Sequence, residues 1–208
     1  LIRAVIFDFG NVLCFPPSQD KIARAARFCG WSEDAFLERF WRERLEYDAG
    51  RSTPLEYWGT VTGEPFASRH LTGLIAMEID FWTDYDVRPF HWIADLRAAG
   101  VSTGILSNLP RVLGEDLRSR ELLSKRFLDH FDHATLSYEL LTVKPQAAIY
   151  RHAIEGLQVA PEEALFLDDK IANVQGAIDA GLRAELFTTW EDFRKRDVPG
   201  LYGLIQSR

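Results

Sequence analysis

Four short stretches of the 208-residue chain put polar residues where an apolar or helical pattern begins or ends. Asp8 closes the run Ala4–Phe7 and is followed by Phe9, Gly10 and Asn11; Ser107-Asn108 closes GILSN; Asp168-Asp169 closes ALFLDD, with Asn173 a turn later; Lys144 precedes Pro145 at the mouth of a helix. Each alone is what a cap or a turn uses. Gathered at one end of a parallel sheet they exceed that need, because clustered carboxylates repel unless a cation sits among them. The chemistry suited to such a set is phosphoryl transfer to an aspartate. A carboxylate nucleophile calls for Mg²⁺ to neutralise the approaching phosphate, and hard oxygen ligands suit that ion. Asp8, Asp169 and the Gly10 carbonyl can supply them. The Ser107 hydroxyl, the Asn108 backbone N–H and the Lys144 ammonium fit the phosphate oxygens.

The elements that must position these residues alternate in type. Residues 3–8, 101–107, Ala164–Asp168 and 184–187 are continuous apolar runs of the kind found in buried parallel strands. Between and around them lie helical patterns at 89–99, closed by Gly100, at 145–155, opened by Pro145, and at 173–180, closed by Gly181. Such alternation predicts an α/β fold, a Rossmann-like, doubly wound parallel sheet with its ligand crevice beyond the carboxyl ends of the strands.

Residues 16–85 break the rhythm and predict an inserted α-helical cap domain, dividing a core domain into 1–15 and 86–208. Ser32 is an N-cap with Trp31 and Phe36 placed as a hydrophobic staple, and Phe36, Leu37, Phe40, Trp41 and Leu45 are expected on one helical face. Thr53-Pro54-Leu55-Glu56 reads as a capping box, and Leu71, Leu74, Ile75 and Ile79 mark a further amphipathic helix.

Composition restricts the partners. A formal charge of −7 lacks the cationic excess of a nucleic-acid footprint, yet a local cation cluster still suits a small phosphorylated metabolite. The two cysteines, Cys14 and Cys29, form no disulfide framework and are expected to pack as small hydrophobes. No stretch approaches a membrane span, and the apolar start is too short for a signal peptide. A cytoplasmic protein is expected, of undetermined oligomeric state.

The segments VIFDFGNVL, GILSNL, VKPQAAIY and FLDDKIANVQGAIDAG together resemble the haloacid dehalogenase-like hydrolase superfamily, in its phosphatase-type branch with a helical cap after the first strand and a D-x-G-N-V opening. The resemblance runs nearly the length of the chain. It implies a Mg²⁺-dependent phosphatase acting through an aspartyl-phosphate on Asp8, with Ser107 and Lys144 binding phosphate, Asp169 ligating metal, and Asp168 and Asn173 orienting Lys144 and the metal waters. The substrate implied is a small phosphate monoester, sugar phosphates among the candidates.

One position departs from the family. Its phosphatases usually carry a second Asp two residues after the nucleophile, where this chain has Gly10. General acid–base help is worth about 10²–10⁴-fold, so the departure bears on rate and substrate range. Three readings follow: a phosphatase that either hydrolyses esters whose leaving group needs little protonation or borrows a proton carrier from the cap, with His70, Glu46, Tyr47 and Asp48 as candidates; a dehalogenase, against which Asp168-Asp169 counts; or a binding protein that kept the fold without turnover. Arg42 and Arg44 either grip the substrate or pair with Glu38, Glu46 or Asp48 on a solvated face. Trp31, Trp41, Trp58 and Trp82 either fill the cap's interior or stack on a sugar.

Overall fold

The computed structural model describes residues 1–196; the tail of the expected core segment, 197–208, lies outside the described residues. Strand β1 (Ala4–Phe7) is buried throughout. Val5 and Phe7 enter one apolar cluster while Ala4 and Ile6 enter another, as alternation across a strand covered on both faces requires. The chain then passes through five helices: α1 (Gln19–Cys29), α2 (Glu33–Arg42), α3 (Arg44–Asp48), α4 (Pro54–Thr62) and α5 (Glu64–Phe81). It returns by α6 (Arg88–Ala98) to β2 (Ser102–Ser107), then α7 (Arg111–Ser119) and a small ribbon of β3 (Glu121–Leu122) and β4 (Lys125–Arg126). There follow β5 (His133–Leu136), the single turn α8 (Ser137–Leu140), α9 (Ala147–Leu157), β6 (Ala164–Asp168), α10 (Ile171–Asp179), β7 (Arg183–Leu186) and α11 (Trp190–Phe193).

Five strands make one wholly parallel sheet in the order β5-β2-β1-β6-β7. The winding reverses on either side of β1, so the crevice of such a sheet falls beyond its carboxyl end. Register does the rest. Phe7 pairs with Ile105 on one side and Leu167 on the other, which brings Asp8, Ser107 and Asp168 to one edge together.

The helical layer begins where capping residues say it should. Ser18 and Ser32 accept the N–H groups of Lys21 and Ala35, and Thr53 with Glu56 forms the expected capping box. The two linkers into and out of the layer pair with each other: Phe15 N–H donates to the Asp84 carbonyl (2.8 Å) and Asp86 N–H to that of Leu13 (3.1 Å).

Several local expectations change. The helix expected from Pro145 starts at Ala147, because residues 143–146 form a turn closed by Gln146 N–H on the Val143 carbonyl (2.9 Å). α10 starts at Ile171 rather than Asn173. Strand β5, with its short HATL sequence, and helix α7, which carries a glycine, had no clear pattern. In the helical layer Phe36 and Phe40 are buried, but the helix breaks at Glu43 and leaves Trp41 and Leu45 exposed. The buried line of α5 is Ala67, Leu74, Glu78 and Phe81, with Leu71, Ile75 and Ile79 only partly covered. Cys14 and Cys29 are buried free thiols. No helix among the described residues is long and apolar enough to cross a membrane.

Candidate active site

Asp8 extends β1 by one residue, its N–H still bonded to the Leu167 carbonyl (2.9 Å). Its Oδ1 accepts three hydrogen bonds: from the Phe9 N–H (2.7 Å), the Ser107 hydroxyl (2.9 Å) and Lys144 Nζ (2.7 Å). The carboxylate is thereby held from three elements in one orientation. Burial nonetheless pushes its pKa up to about 7, with Lys144 pulling the other way and the Asp168 charge adding to the rise.

Lys144 is 2% exposed and all three ammonium protons have acceptors: Asp8 Oδ1, Asp168 Oδ2 (2.7 Å) and the Leu106 carbonyl (3.1 Å). Burial works to lower its pKa, but Asp8 and Asp168 outweigh that and hold it above the ordinary lysine range. Its backbone is fixed as firmly. Asn108 Nδ2 donates to the Lys144 carbonyl (3.1 Å) and Asn108 Oδ1 accepts the Lys144 N–H (2.8 Å). The Asn108 side chain therefore builds the lysine's seat.

Asp168 is fully buried behind Lys144. It accepts from Lys144, from the Lys170 N–H (2.8 Å) and from Asn173 Nδ2 (3.0 and 3.1 Å), so both its oxygens are committed. Asp169 differs. Asn11, itself in the left-handed region at φ 60°, donates to Asp169 Oδ2 (2.7 Å), while Asp169 Oδ1 is buried with no hydrogen-bond partner among the described residues. Ligand atoms of Asp8, Asp168 and Asp169 lie within 4.8 Å of one another. An orphaned buried carboxylate oxygen beside a second carboxylate is costly alone and suits a hard divalent cation. Asp8 and Asp169 are the pair with oxygens to offer.

These residues line the floor of a cavity of about 460 Å³ that also takes in Gly10, Asn11, Ser107, Asn108, Lys144, Lys170 and Asn173. Its roof is the helical layer, with Trp41, Arg44, Leu45, Asp48 and Trp82. Beside Gly10 the space is occupied: a Cβ there would stand 3.3 Å from Trp82 Cζ3. The indole fills the direction a larger side chain would take.

Of the four proton-carrier candidates, Asp48 alone reaches the cavity. His70 packs against Phe28 and Phe66, Glu46 holds Arg51 at the surface, and Tyr47 stacks on Tyr57 (4.1 Å) and donates to Glu78. The arginines also divide. Arg42 pairs with Glu38 in solvent. Arg44 is buried, with Nε on Asp48 Oδ1 (2.7 Å) and Nη1 on Glu78 Oε1 (2.6 Å). Trp58 is fully buried, Trp31 lies under Arg39 (3.9 Å), and Trp41 and Trp82 face the cavity. Glu78, Lys170 and Asn11 carry structure here that sequence reasoning passed over. A glutamate on the apolar face of α5 was the available signal for the first.

The chain matches known proteins along its length. The profile of the haloacid dehalogenase-like hydrolases matches residues 2–181. A D-ribitol-5-phosphate phosphatase of Bacteroides thetaiotaomicron is 28% identical over 84% of this chain and 86% of its own. An (S)-2-haloacid dehalogenase of a Pseudomonas species is 26% identical over 85% of this chain and 80% of its own. In fold, a HAD family enzyme of B. thetaiotaomicron, solved with magnesium and inorganic phosphate, superposes with a TM-score of 0.75 at 19% identity, covering 97% of this chain and all of the other.

Proposed function

Because this chain belongs to the haloacid dehalogenase-like hydrolase family, we propose that it is a Mg²⁺-dependent phosphatase that hydrolyses a small phosphate monoester, a sugar or polyol phosphate, through an aspartyl-phosphate on Asp8. The observation that carries this reading is the Asp8 carboxylate, held at the end of β1 by Ser107 and Lys144 beside the unpartnered oxygen of Asp169. The phosphatase relative, similar over most of both chains, and the magnesium and phosphate in an enzyme of the same fold support it.

In this reading Asp8 attacks phosphorus, with Ser107, Lys144 and the Asn108 N–H binding the phosphoryl oxygens. Asp168 and Asn173 keep Lys144 charged and aimed. Asp8, Asp169 and the Gly10 carbonyl would hold Mg²⁺, which supplies charge neutralisation between carboxylate and phosphate. Helices α1–α5 act as a cap domain (16–85) over a core (1–15 and 86–208) and exclude water from the site. With buried free thiols and a charge of −7, the proposed location is the cytoplasm and the partner a small anionic metabolite.

The test is phosphate release from a panel of sugar and polyol phosphates with and without Mg²⁺. Metal-dependent release, lost in Asp8→Asn, is the expected result. Halide release from 2-chloropropionate without added metal, and none of phosphate, would assign the chain instead to the chemistry of its dehalogenase relative.

A further inference from the structure

Gly10 leaves the proposed reaction without its usual proton carrier, and Trp82 fills the room beside that position. A phosphoryl transfer with attacking and leaving oxygens in line puts the leaving oxygen on the side of phosphorus opposite Asp8. Asp8 stands at the floor of the cavity, so the leaving oxygen faces the helical layer. Seven residues between positions 16 and 85 line the cavity: Pro16, Pro17, Trp41, Arg44, Leu45, Asp48 and Trp82. Pro16, Pro17 and Leu45 carry no ionisable group, the indole N–H of Trp41 and Trp82 does not ionise usefully, and the Arg44 guanidinium does not give up its proton in proteins. Asp48 is what remains.

We propose that Asp48, contributed by helix α3, is the general acid and base of this enzyme, in place of the second aspartate of the first motif. The inference rests on the phosphatase reading above. In the first step Asp8 Oδ bonds to phosphorus, the ester P–O bond breaks, and the departing alkoxide takes the Asp48 proton to leave as an alcohol. In the second step the Asp48 carboxylate takes a proton from water as the water oxygen bonds to phosphorus and the P–O bond to Asp8 breaks. Ester and water become alcohol and phosphate, and Asp48 ends protonated as it began.

The surroundings of Asp48 suit both halves. It is 6% exposed, and its Oδ1 is fixed by Arg44 Nε while Arg44 is itself fixed by Glu78. Its backbone carbonyl accepts the hydroxyl of the fully buried Ser137, which ties α3 to the sheet side of the cavity. The charged groups bearing on it are Arg44 on its own helix, Glu78 on α5 and Lys170 beyond β6. Burial pushes its pKa up to about 6; Arg44 and Lys170 oppose the rise and Glu78 adds to it. A carboxyl in that range exchanges protons near neutrality, which an acid that must later serve as base requires.

The test compares wild type with Asp48→Asn on two esters in saturating Mg²⁺: a polyol phosphate, whose alkoxide needs a proton to leave, and p-nitrophenyl phosphate, whose phenolate does not. Expected is a fall of about 10²–10⁴-fold in kcat/KM on the polyol ester with less than about tenfold on the aryl ester, and a burst of nitrophenol before slow turnover, since water attack has lost its base. The wild-type decline of kcat/KM on the polyol ester as pH rises through about 6 should vanish in the variant. An equal fall on both esters with an unmoved pH profile overturns the proposal, as does finding the same leaving-group split in Lys170→Gln and not in Asp48→Asn. Thermal melts establish that the variants are folded. Should Asp48→Asn not fold, Asp48→Glu keeps the charge on Arg44 and displaces the carboxyl; a larger fall on the polyol ester supports the proposal and equal falls overturn it. A wild type silent on both esters would fail the phosphatase reading itself.

Discussion

At the scale of single residues, the site is defined by which carboxylate oxygens are spoken for. Asp168 has none free, Asp8 shares one oxygen among three donors, and Asp169 keeps one buried and unmatched. Chain order made the floor of the cavity legible, because residues at the ends of neighbouring parallel strands must meet. Gly10 was legible as a departure from the family, but its packing was not, since Trp82 is 72 positions away. Restoring an aspartate by Gly10→Asp would press its Cβ on an indole at 3.3 Å. Expected is a loss of about 1–3 kcal/mol of stability, typical of overpacking, and no gain in turnover. Trp82→Ala alone should cost about 3–5 kcal/mol through the cavity it leaves, and in that background Gly10→Asp should cost less than it does beside the intact indole. Urea unfolding of wild type, both single variants and the double variant checks this; a Gly10→Asp protein as stable as wild type would refute it.

At the scale of elements, the helical layer owes its arrangement to a buried charge cluster that apolar periodicity could not reveal. Spacing along α5 pointed to Leu71, Leu74, Ile75 and Ile79, yet the helix turns Glu78 fully inward. Glu78 accepts from Arg44, from the Tyr47 hydroxyl (3.1 Å) and from Trp58 Nε1 (3.3 Å), drawing α3, α4 and α5 onto one carboxylate. The same cluster keeps the expected pairing of Arg44 with Asp48 but buries it instead of leaving it on a solvated face, and it aims Asp48 at the cavity. Removing one member of a buried ion pair leaves its partner uncompensated, at a cost of about 3–5 kcal/mol. Glu78→Ala is therefore expected to destabilise by that order in chemical denaturation, whereas Arg42→Ala, in solvent with Glu38, should change stability by less than about 1 kcal/mol. Equal effects of the two would contradict the assignment. The capped helix starts at Ser32 and Thr53 were legible because a cap is a local contract between residues three apart. The break at Glu43 was not, since it is imposed by what Arg44 must reach.

For the whole molecule, the α/β alternation and the interruption after β1 were readable, because strand and helix periods differ and no strand pattern occurs between 16 and 85. The continuity between the two parts was not readable. The apolar cluster under β1 runs from Val5 and Phe7 into Phe36, Phe40 and Trp58 without a break. The two parts approach closely at Gly50, which has φ 72° and where a Cβ would come within 2.7 Å of the Tyr138 carbonyl oxygen on α8. Gly50→Ala must strain the backbone or lift the helical layer away from the strand ends. A raised KM, with a smaller change in kcat on the aryl ester and a lower Tm, is the expected result; kinetics indistinguishable from wild type would show that the cavity does not depend on this contact.

The paired linkers also bear on how the chain reaches its fold in time. Ala4 of β1 pairs with Ser102 of β2, about a hundred residues later, and closing so long a span is a slow kind of event for a parallel sheet. Yet helices α1–α5, which make up most of that span, are flanked by Phe15 and Asp84, which are hydrogen-bonded neighbours. With α1–α5 folded, the two ends of that segment lie together, so the separation left for β1 and β2 to close is shorter in effect than the sequence between them. The layer that covers the cavity is thus expected to serve also as a splint for the pairing of β1 with β2.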